Sequence, residues 1–528
     1  MLSKIKEREQ IIREESNTLN TITSRNTLED LSKTAEQLYG ETRALISIAM
    51  EQLAEQRRTN QILEAGPIDL PVVHDACFDS ADVHNSPKCE TGTRLRIQET
   101  IAQWADQDSA EPFLWLVGLA GTGKSTIART TVDTLSGEKR LVAGYFFKRG
   151  EQGRNDTTRL FPTLAKQLAQ TMPSFKGYLR KSLDGCDRDA VEKKSLEGQF
   201  DTLLWLPLRD LPPIDAGQPP KVIIIDALDE CERPEHLSRM LALLGKLHHI
   251  ETVRLRVLIT SRATPAITRA FSSVRHRYLN LEHEYQDETK SDIAKFLGHE
   301  FASIRQRWGI AEPWPDHGQL HRFISLSTTP SPLFIYAATL CRFIDNPDDP
   351  DGREYPKDQL DDWLQQCDSN APQLDQVYMP ILHYLLFGSY NTCEKPKPLT
   401  GDRRAELFAV LGTVVLAATP LSSREIASLL RIDSDRVAFR LRSLHAVLSI
   451  PSEDHYPVKL LHKSFSDFLL HQGDSESEDY RVNAAQTHAM LAAHCIQCMK
   501  AGLRRDICDI QKPDVLRVEM DKQLIDTR

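Results

Sequence analysis

The sequence lacks a hydrophobic run long enough to cross a lipid bilayer: its longest uncharged stretch extends only from Leu407 to Ser423 and contains Gly412 and Pro420. That stretch predicts a buried helix followed by a turn. The N-terminus is charged from Lys4 onward, which excludes a secretory signal. The 10 cysteines follow no regular spacing, as expected for reduced thiols. These features predict a cytoplasmic protein with no membrane span.

An excess of positive charge and internal repeats are also missing. Against 65 Lys and Arg stand 75 Asp and Glu, so the formal net charge is −10. This balance argues against nucleic acid or an anionic membrane as a general partner, although a local basic face is compatible with it. The 528 residues exceed what one hydrophobic core organises, and three or four domains are expected.

Proline does not occur before Pro67. Residues 1–65 are rich in Glu, Gln, Arg, Leu and Ile and therefore predict an N-terminal helical region. Leu31, Leu38 and Leu45 recur every seven residues, which fits either a helical hairpin packed within the protein or a self-association element. Packing within the protein is favoured because the repeat does not persist over four heptads.

The most informative stretch is FLWLVGLAGTGKST, from Phe113 to Thr126. A strand-length apolar run leads into glycines and an amphipathic helix follows, which is the context that a phosphate-binding P-loop requires. Glycine has no Cβ, so the backbone can curl around a phosphate with its N–H groups inward, and the helix N-terminus adds partial positive charge. Lys124 is expected to reach the β- and γ-phosphates, and Ser125 to ligate Mg²⁺. The predicted cofactors are ATP and ADP, or GTP and GDP, with Mg²⁺, and the predicted cradle comprises Gly118, Gly121, Thr122, Gly123, Lys124, Ser125 and Thr126.

A second motif, KVIIIDALDEC, starts at Lys221. Its apolar residues predict a buried parallel strand with Asp226 at the carboxyl end, where ligands bind in open α/β sheets. Asp226 is therefore predicted to hold the same Mg²⁺ as Ser125. Asp229 and Glu230 are predicted as catalytic residues that orient and deprotonate a water aligned with the γ-phosphate.

A further apolar strand, from Leu255 to Thr260, ends close to Arg262. An arginine at the tip of a strand beside the acidic one can detect a γ-phosphate, because guanidinium pairs with phosphate in a fixed geometry. Arg262 is therefore predicted as a third catalytic residue, the alternative being a surface arginine. With a fifth strand from Tyr278 to Leu281, the sequence predicts a parallel sheet with helices on both faces.

Two groups of cysteine and histidine residues are candidate metal sites. The first group precedes the P-loop but lacks the C-x-x-C and H-x-x-x-H spacings of zinc sites, so a loop closing over the nucleotide base is favoured. Its members are His74, Cys77, His84 and Cys89. The second group is Cys495 and Cys498 with the nearby His488 and His494. The two cysteines fall on one face of a predicted helix, which favours packing over a zinc or redox site.

GLAGTGKST, IIIDALDEC and LITSR, in this order, resemble the NACHT class of STAND nucleotide switches. FDSADVHNSPKCETGTR, YFFKRGEQGRNDTTRLFPTLAKQLA and LFIYAATLCRFI are similar to the large fungal group that includes vegetative-incompatibility proteins. The resemblance covers roughly residues 70–510 and implies two further nucleotide contacts. These are Pro332, from a helical domain, and His462 in LLHKSF, which would contact the β-phosphate of the diphosphate state.

The expected fold class is multidomain α/β plus α. The predicted segments are an N-terminal helical region 1–65, a linker and helix 66–105, a NACHT P-loop NTPase domain 106–282, a helical domain 283–390, a winged-helix domain 400–472 and a C-terminal helical segment 473–528 without a repeat sensor. The winged helix follows from the order of three helices and two short strands. Arg436, Arg440 and Arg442 on its third helix are either phosphate contacts or solvated charge, and the net charge favours the latter.

The leading functional prediction is a signalling switch, closed with diphosphate and opening or self-associating with triphosphate, with slow hydrolysis. The resemblance implies a role in fungal non-self recognition or programmed cell death, with an unknown ligand or signalling protein as partner. Two alternatives are a P-loop ATPase that acts by turnover as a remodeller, and a nucleotide-sensing DNA-binding regulator.

Overall fold

The structure is a computed structural model that describes residues 68–107, 110–213, 218–346, 355–367, 372–387, 399, 401–451, 453–471 and 480–503, with isolated positions 10, 11, 14, 39, 42, 43 and 50. The predicted N-terminal helices, with Leu31, Leu38 and Leu45, and most of the C-terminal segment beyond residue 503 lie outside the described residues. In the described ranges, every helix is too short or too polar to cross a membrane.

Five parallel strands form the central sheet, in the order β2-β3-β4-β1-β5. They are β1 (Phe113–Val117), β2 (Leu141–Phe146), β3 (Lys221–Asp226), β4 (Leu255–Ser261) and β5 (His276–Asn280). The first, second and fourth strands are buried along their whole length, which explains why they read as continuous apolar runs. The predicted parallel sheet is therefore confirmed.

The fifth strand is shifted from its predicted bounds of Tyr278 to Leu281. It ends at Asn280, whose side chain accepts hydrogen bonds from the backbone N–H groups of Glu282 and His283. An asparagine in this position starts a helix, because it satisfies N–H groups that have no partner within the helix. Leu281 consequently belongs to the next helix.

Helices cover both faces of this sheet. They are α1 (Ala81–His84), α2 (Leu95–Asp106), α3 (Lys124–Gly137), α4 (Leu160–Thr171), α5 (Pro173–Ser182), α6 (Arg188–Glu192), α7 (Leu196–Phe200), α8 (Leu206–Arg209), α9 (Pro234–Lys246), α10 (Pro265–Phe271) and α11 (Leu281–Glu284). Alternate residues of a strand point to opposite faces. In β1, Trp115 packs in one core with α4 and α9, whereas Leu114 and Leu116 pack in a second core with α2 and α3. The predicted two-faced α/β arrangement is confirmed.

The rest of the described chain is helical apart from one short hairpin. Its elements are α12 (Gln286–Trp308), α13 (His317–Thr328), α14 (Phe334–Ile344), α15 (Pro356–Gln366), α16 (Asp375–Phe387), α17 (Gly401–Leu416), α18 (Ser423–Leu430), α19 (Ser434–Arg442), β6 (Leu448–Ser449), β7 (Lys459–Leu460), α20 (Lys463–Leu470) and α21 (Ala484–Gly502). One hydrophobic core runs through these elements from Ile293 to Leu491. The boundaries predicted near residues 390, 400 and 472 are not marked by separate cores, and they stay predictions.

The element order predicted for residues 400–472 is present. Ser422 and Glu425 form a reciprocal capping box at the start of α18, as the sequence predicted. The two strands pair antiparallel, with Leu448 opposite Leu460. Helices α17 to α19 and this hairpin are called the C-terminal unit below, together with α20.

Candidate functional site

The functional residues predicted from separate motifs meet at one edge of the sheet. Strand β4 lies between β1 and β3, with Val117 opposite Ser261 and Ile225 opposite Ile259. Parallel strands end at the same edge, so the P-loop, the acidic motif and Arg262 follow three neighbouring strand ends. This edge is where ligands bind in open α/β sheets.

The P-loop has a backbone that its glycines make possible. Gly121 and Gly123 have φ of +79° and +90°, in the left-handed region that glycine adopts without strain. Helix α3 begins directly afterwards at Lys124, and its N-cap is Gly123, which has no side chain to satisfy the first N–H groups of the helix. The first N–H groups of the helix and the helix dipole make this end suited to an anion, and the phosphate cradle itself stays a prediction.

Lys124 curls back over the loop. Its Nζ donates to the carbonyl oxygens of Gly118 and Leu119, at 2.8 Å each. Burial lowers the pKa of the ammonium, and the nearby carboxylates of Asp229 and Asp226 oppose that shift. A cation held at the mouth of the cradle is suited to a polyphosphate.

Ser125 and Asp226 provide oxygen ligands of the kind that Mg²⁺ prefers. Asp226 is buried, and its Oδ1 accepts from the Thr260 hydroxyl at 2.5 Å. Burial raises the pKa of Asp226, while hydrogen bonds from Thr260 and Ser125 oppose the rise. Within the described ranges no three His, Cys, Asp or Glu side chains lie close enough to hold a metal. The pair fits Mg²⁺ at a nucleotide site, which takes one or two protein ligands besides phosphate and water.

Arg262 lies between two carboxylates. Its Nε is 2.9 Å from Asp229 Oδ2, and its backbone N–H donates to Asp229 Oδ1 at 3.1 Å. The guanidinium also donates to Asp467 Oδ2, at 3.2 Å, on α20 of the C-terminal unit. The turn after β3 places Asp229 here, because Ala227 adopts a left-handed φ of 56°. A strand-end arginine thus joins the acidic motif to a distant helix.

Glu230 points to the loop that follows β2. Its Oε2 accepts the backbone N–H of Arg149 at 3.1 Å, and the Arg149 guanidinium donates to the Asp229 carbonyl at 3.1 Å. Burial raises the pKa of Glu230, and the hydrogen bond from Arg149 opposes the rise. A carboxyl with a raised pKa is a better proton acceptor near neutral pH than an exposed one.

His462 is the N-cap of α20. Its Nδ1 accepts the backbone N–H of Ser464 at 3.1 Å, so the neutral ring carries its proton on Nε2. The Ser464 hydroxyl lies 2.5 Å from Nδ1 and 2.6 Å from the Tyr378 hydroxyl. Burial, together with the positive charges of Lys124 and Arg262, lowers the pKa of His462 to about 3. The imidazole is therefore neutral and close to the cations of the cradle.

The segment that contains Pro332 contacts the P-loop through a different residue, Ile335. Pro332 is buried, and the backbone N–H of Ile335, at the start of α14, donates to the Gly121 carbonyl at 3.1 Å. A Cβ placed on Gly121 would lie 2.1 Å from Ile335 Cγ2. The predicted contact of Pro332 with the nucleotide stays a prediction.

Sequence reasoning missed four residues at this site: Arg94, Arg149, Ile335 and Asp467. Arg94 ends the TGTR stretch, which is part of a segment that carries the family resemblance, but the resemblance assigned no role to this arginine. Arg149 and Ile335 lie in the other two stretches that carry it and were likewise given no role, whereas no local pattern distinguishes Asp467 from a surface residue. They become visible only when distant segments are brought together.

The sequence candidates for zinc and nucleic acid lie elsewhere. Cys77 is buried and its thiol donates to the Val73 carbonyl at 3.5 Å. On α19, Arg436 pairs with Glu406, and Arg440 Nε lies 3.6 Å from the same carboxylate. A shared intramolecular carboxylate lowers the positive charge that this helix offers to a phosphate backbone.

Comparisons with known proteins give low similarity. The model of the family described as Nephrocystin 3, N-terminal, matches residues 90–262, about a third of the chain. No curated protein matches. A solved STAND protein with a tetratricopeptide repeat sensor from Pyrococcus horikoshii is 13% identical with a TM-score of 0.38, over 82% of this chain and 47% of that chain. The chain thus spans less than half the length of that protein.

Two further solved structures also show similarity. Cdc6p from Pyrobaculum aerophilum is 12% identical with a TM-score of 0.28, over 81% of this chain and 99% of that chain. AMPPCP-bound DnaA from Aquifex aeolicus is 11% identical with a TM-score of 0.27, over 67% and 88%. Similarity at these values assigns no function to this chain.

Proposed function

We propose that this chain is a nucleotide-dependent signalling switch of the STAND class. It binds ATP and ADP, or GTP and GDP, with Mg²⁺ at Ser125 and Asp226. The diphosphate form is closed, and the triphosphate form opens and self-associates. By the resemblance to NACHT proteins of the fungal type, with a winged helix as its C-terminal unit, the switch acts in non-self recognition or programmed cell death.

The observation that carries this proposal is the position of Arg262. It is shared between Asp229 at the nucleotide site and Asp467 on the C-terminal unit. A γ-phosphate at the predicted place competes for the same guanidinium, because arginine pairs with phosphate in the same bidentate geometry as with carboxylate and a γ-phosphate carries more negative charge than Asp467. Triphosphate thereby weakens the bond that holds the C-terminal unit to the sheet, which is the differential affinity that a switch requires.

His462 supports the closed form with diphosphate. Its Nε2–H has no acceptor within the described part of the chain, and its charge environment includes Lys124 and Arg262. A neutral imidazole with a free N–H is a hydrogen-bond donor for a phosphate oxygen. The C-terminal unit would then contact the nucleotide directly when it is closed.

Slow hydrolysis follows from the same contacts. Asp229 is paired with Arg262, and Glu230 accepts the Arg149 N–H, so both predicted catalytic carboxylates are engaged. The ion pair and the hydrogen bond occupy oxygens that would otherwise orient and deprotonate the water, and for Glu230 the hydrogen bond opposes the higher proton affinity that burial confers. Turnover should therefore be well under the roughly 1–100 s⁻¹ of efficient phosphoryl-transfer enzymes.

The test is to identify the nucleotide released when purified protein is denatured. Binding, hydrolysis and size would then be measured with ADP, ATP, GDP and GTP for the wild type, Lys124→Ala, His462→Ala and the exposed-lysine control Lys246→Ala. We expect a retained diphosphate, weaker binding of all nucleotides for Lys124→Ala, and a larger open or oligomeric fraction for His462→Ala.

Three outcomes would contradict parts of this proposal. No bound nucleotide and equal behaviour of Lys124→Ala and Lys246→Ala would falsify the nucleotide site. Fast turnover without a change of size would favour a remodeller. Salt-sensitive binding to duplex DNA that weakens on replacing Arg436, Arg440 and Arg442 would favour a DNA-binding regulator.

A further inference from the structure

Arg94 lies outside the predicted cradle and yet contacts it. The residue precedes α2 and is only 2% exposed. Its Nη2 donates to the Thr122 carbonyl in the P-loop at 2.5 Å, and its Nη1 donates to Thr289 Oγ1 on α12 at 2.6 Å. The guanidinium lies over the ring of Phe334 at the start of α14, 4.8 Å from the ring centre. One buried side chain therefore joins the P-loop to α12 and α14.

The backbone of Arg94 is itself held in an uncommon conformation. Its φ is 58°, in the left-handed region that non-glycine residues rarely adopt. The N–H of Arg94 donates to the carboxylate of Asp292, a buried residue on α12, at 2.8 Å. Such conformations persist only where the surroundings hold them, and they cluster at functional sites. Asp292 thus fixes the point from which the guanidinium reaches the loop.

The bond to Thr122 has a consequence for the next N–H group. The Thr122–Gly123 peptide is trans, so its C=O and N–H point in opposite directions. Since Arg94 fixes the direction of the Thr122 carbonyl, it also fixes the direction of the Gly123 N–H, which points the opposite way, away from the guanidinium. Within the described ranges that N–H donates to no acceptor. It adds to the N–H groups that a phosphate meets at the start of α3.

We propose that Arg94 is a positioning residue for nucleotide binding, which presents the Gly123 N–H to a phosphate by fixing the direction of the Thr122 carbonyl. The proposal deepens the proposed function and rests on it only in requiring that the loop binds a nucleotide. Thr289 on α12 and Phe334 on α14 keep the guanidinium in place, so these two helices set the orientation of the Thr122–Gly123 peptide.

The test uses Arg94→Ala in the full chain, with Arg256→Ala as the matched control. Arg256 is also buried, lies over a tryptophan and donates to backbone carbonyls, but it sits in the first half of β4, far from the P-loop end of the sheet. We expect Arg94→Ala to weaken binding of both ADP and ATP by about ten- to a hundredfold, since it misplaces one N–H that bonds a charged group. For a guanosine-binding protein, GDP and GTP take their place.

Chemical rescue separates positioning from folding. Added methylguanidinium should restore nucleotide affinity to Arg94→Ala in a saturable way, and Arg256→Ala should bind normally with or without it. Thr289→Val, which keeps the shape and removes the acceptor for Nη1, should cause a smaller loss. This variant also carries the test if Arg94→Ala does not fold.

The outcomes are distinguishable. Nucleotide binding by folded Arg94→Ala or Thr289→Val at wild-type affinity would overturn the role of Arg94 while leaving the proposed function intact. An equal loss in Arg256→Ala, with no rescue, would show a structural role and would also overturn it. A wild-type protein that binds no nucleotide would overturn the proposed function itself.

Discussion

Ile335 donates its backbone N–H to the Gly121 carbonyl, and its side chain occupies the space that a Cβ on Gly121 would need. The start of α14 therefore lies directly on the P-loop. Neither partner can shift without moving the other, because protein interiors are close-packed. Helix α14 is thus in a position to move when the P-loop changes conformation.

Gly121→Ala should lower the free energy of unfolding by about 3 kcal/mol. A left-handed φ costs a non-glycine residue about 1–2 kcal/mol, and overpacking against Ile335 adds a similar amount. Chemical denaturation measures the change. Gly185→Ala is the control, because Gly185 has φ +74° and open space around its Cβ position. Equal losses in the two variants would mean that Ile335 does not constrain the loop.

Adding Ile335→Ala to Gly121→Ala should remove the clash with Cγ2 at 2.1 Å and leave the left-handed strain and the contact with the Ile335 Cβ at 2.8 Å. The loss in the double variant should therefore be about 1–2 kcal/mol smaller than the sum of the two single losses. A double-mutant cycle yields this coupling. Strict additivity of the two changes would rule out the direct contact as the cause.

Asp467→Asn should open the diphosphate form without weakening nucleotide binding at the P-loop. The side chain of Asp467 is 44% exposed, so its pair with Arg262 stabilises closure by about 1 kcal/mol or less, up to roughly a fivefold shift in population. Limited proteolysis and small-angle scattering with bound diphosphate measure that shift. Asp402→Asn, on the exposed side of α17, is the control. Identical cleavage of both variants would remove Arg262 from the closing mechanism.

A cluster of charges forms a second link between the sheet domain and the C-terminal unit. Asp82 and Glu151 pair with Lys148 and Arg154 of the sheet domain, and Lys459 on β7 lies 3.1 Å from Asp82 and 3.7 Å from Glu151. The positive charges, with Lys148 first, hold the pKa of Asp82 well below its usual range against burial. Within the sheet domain two cations, Lys148 and Arg154, face two carboxylates, Asp82 and Glu151. The hairpin adds Lys459 as a third cation.

Lys459→Glu should therefore open the diphosphate form more than Asp467→Asn does, because it replaces attraction by repulsion at a half-buried cluster. Lys459→Arg should stay closed, and Lys246→Glu, with the same charge change at an exposed site on α9, should behave as the wild type. Proteolysis at the hairpin and scattering report the difference. A closed Lys459→Glu protein would contradict the role of this cluster.

The sequence predicted those parts of the site that depend on local patterns. The glycines before Lys124 and the apolar run before Asp226 each specify a strand end, and the common edge of a parallel sheet brings them together. The bond between Arg262 and Asp467 was not predictable in this way. It joins residues far apart in the sequence, and neither the strand period nor the helix period carries information about a partner at that distance.

Protonation of His462 should destabilise the fold at acidic pH. The pKa of the imidazole is lowered from 6.5 to about 3 by burial and by the charges of Lys124 and Arg262. Between these values the unfolded chain binds a proton that the folded chain does not. The contribution to stability is therefore full above pH 6.5 and is lost as the pH falls toward 3.

At pH 5 the loss attributable to His462 should be about 2 kcal/mol, from 1.5 pH units below the unfolded pKa. His462→Asn keeps an N-cap acceptor for α20 and cannot titrate in this range, so its stability should fall less between pH 7 and pH 5. Denaturant unfolding at both pH values measures the difference. His455→Asn, which removes an exposed imidazole of the hairpin, should follow the wild type. Parallel curves for the wild type and His462→Asn would mean that the folded protein accommodates the imidazolium at no cost, in which case the cations of the cradle do not face this ring.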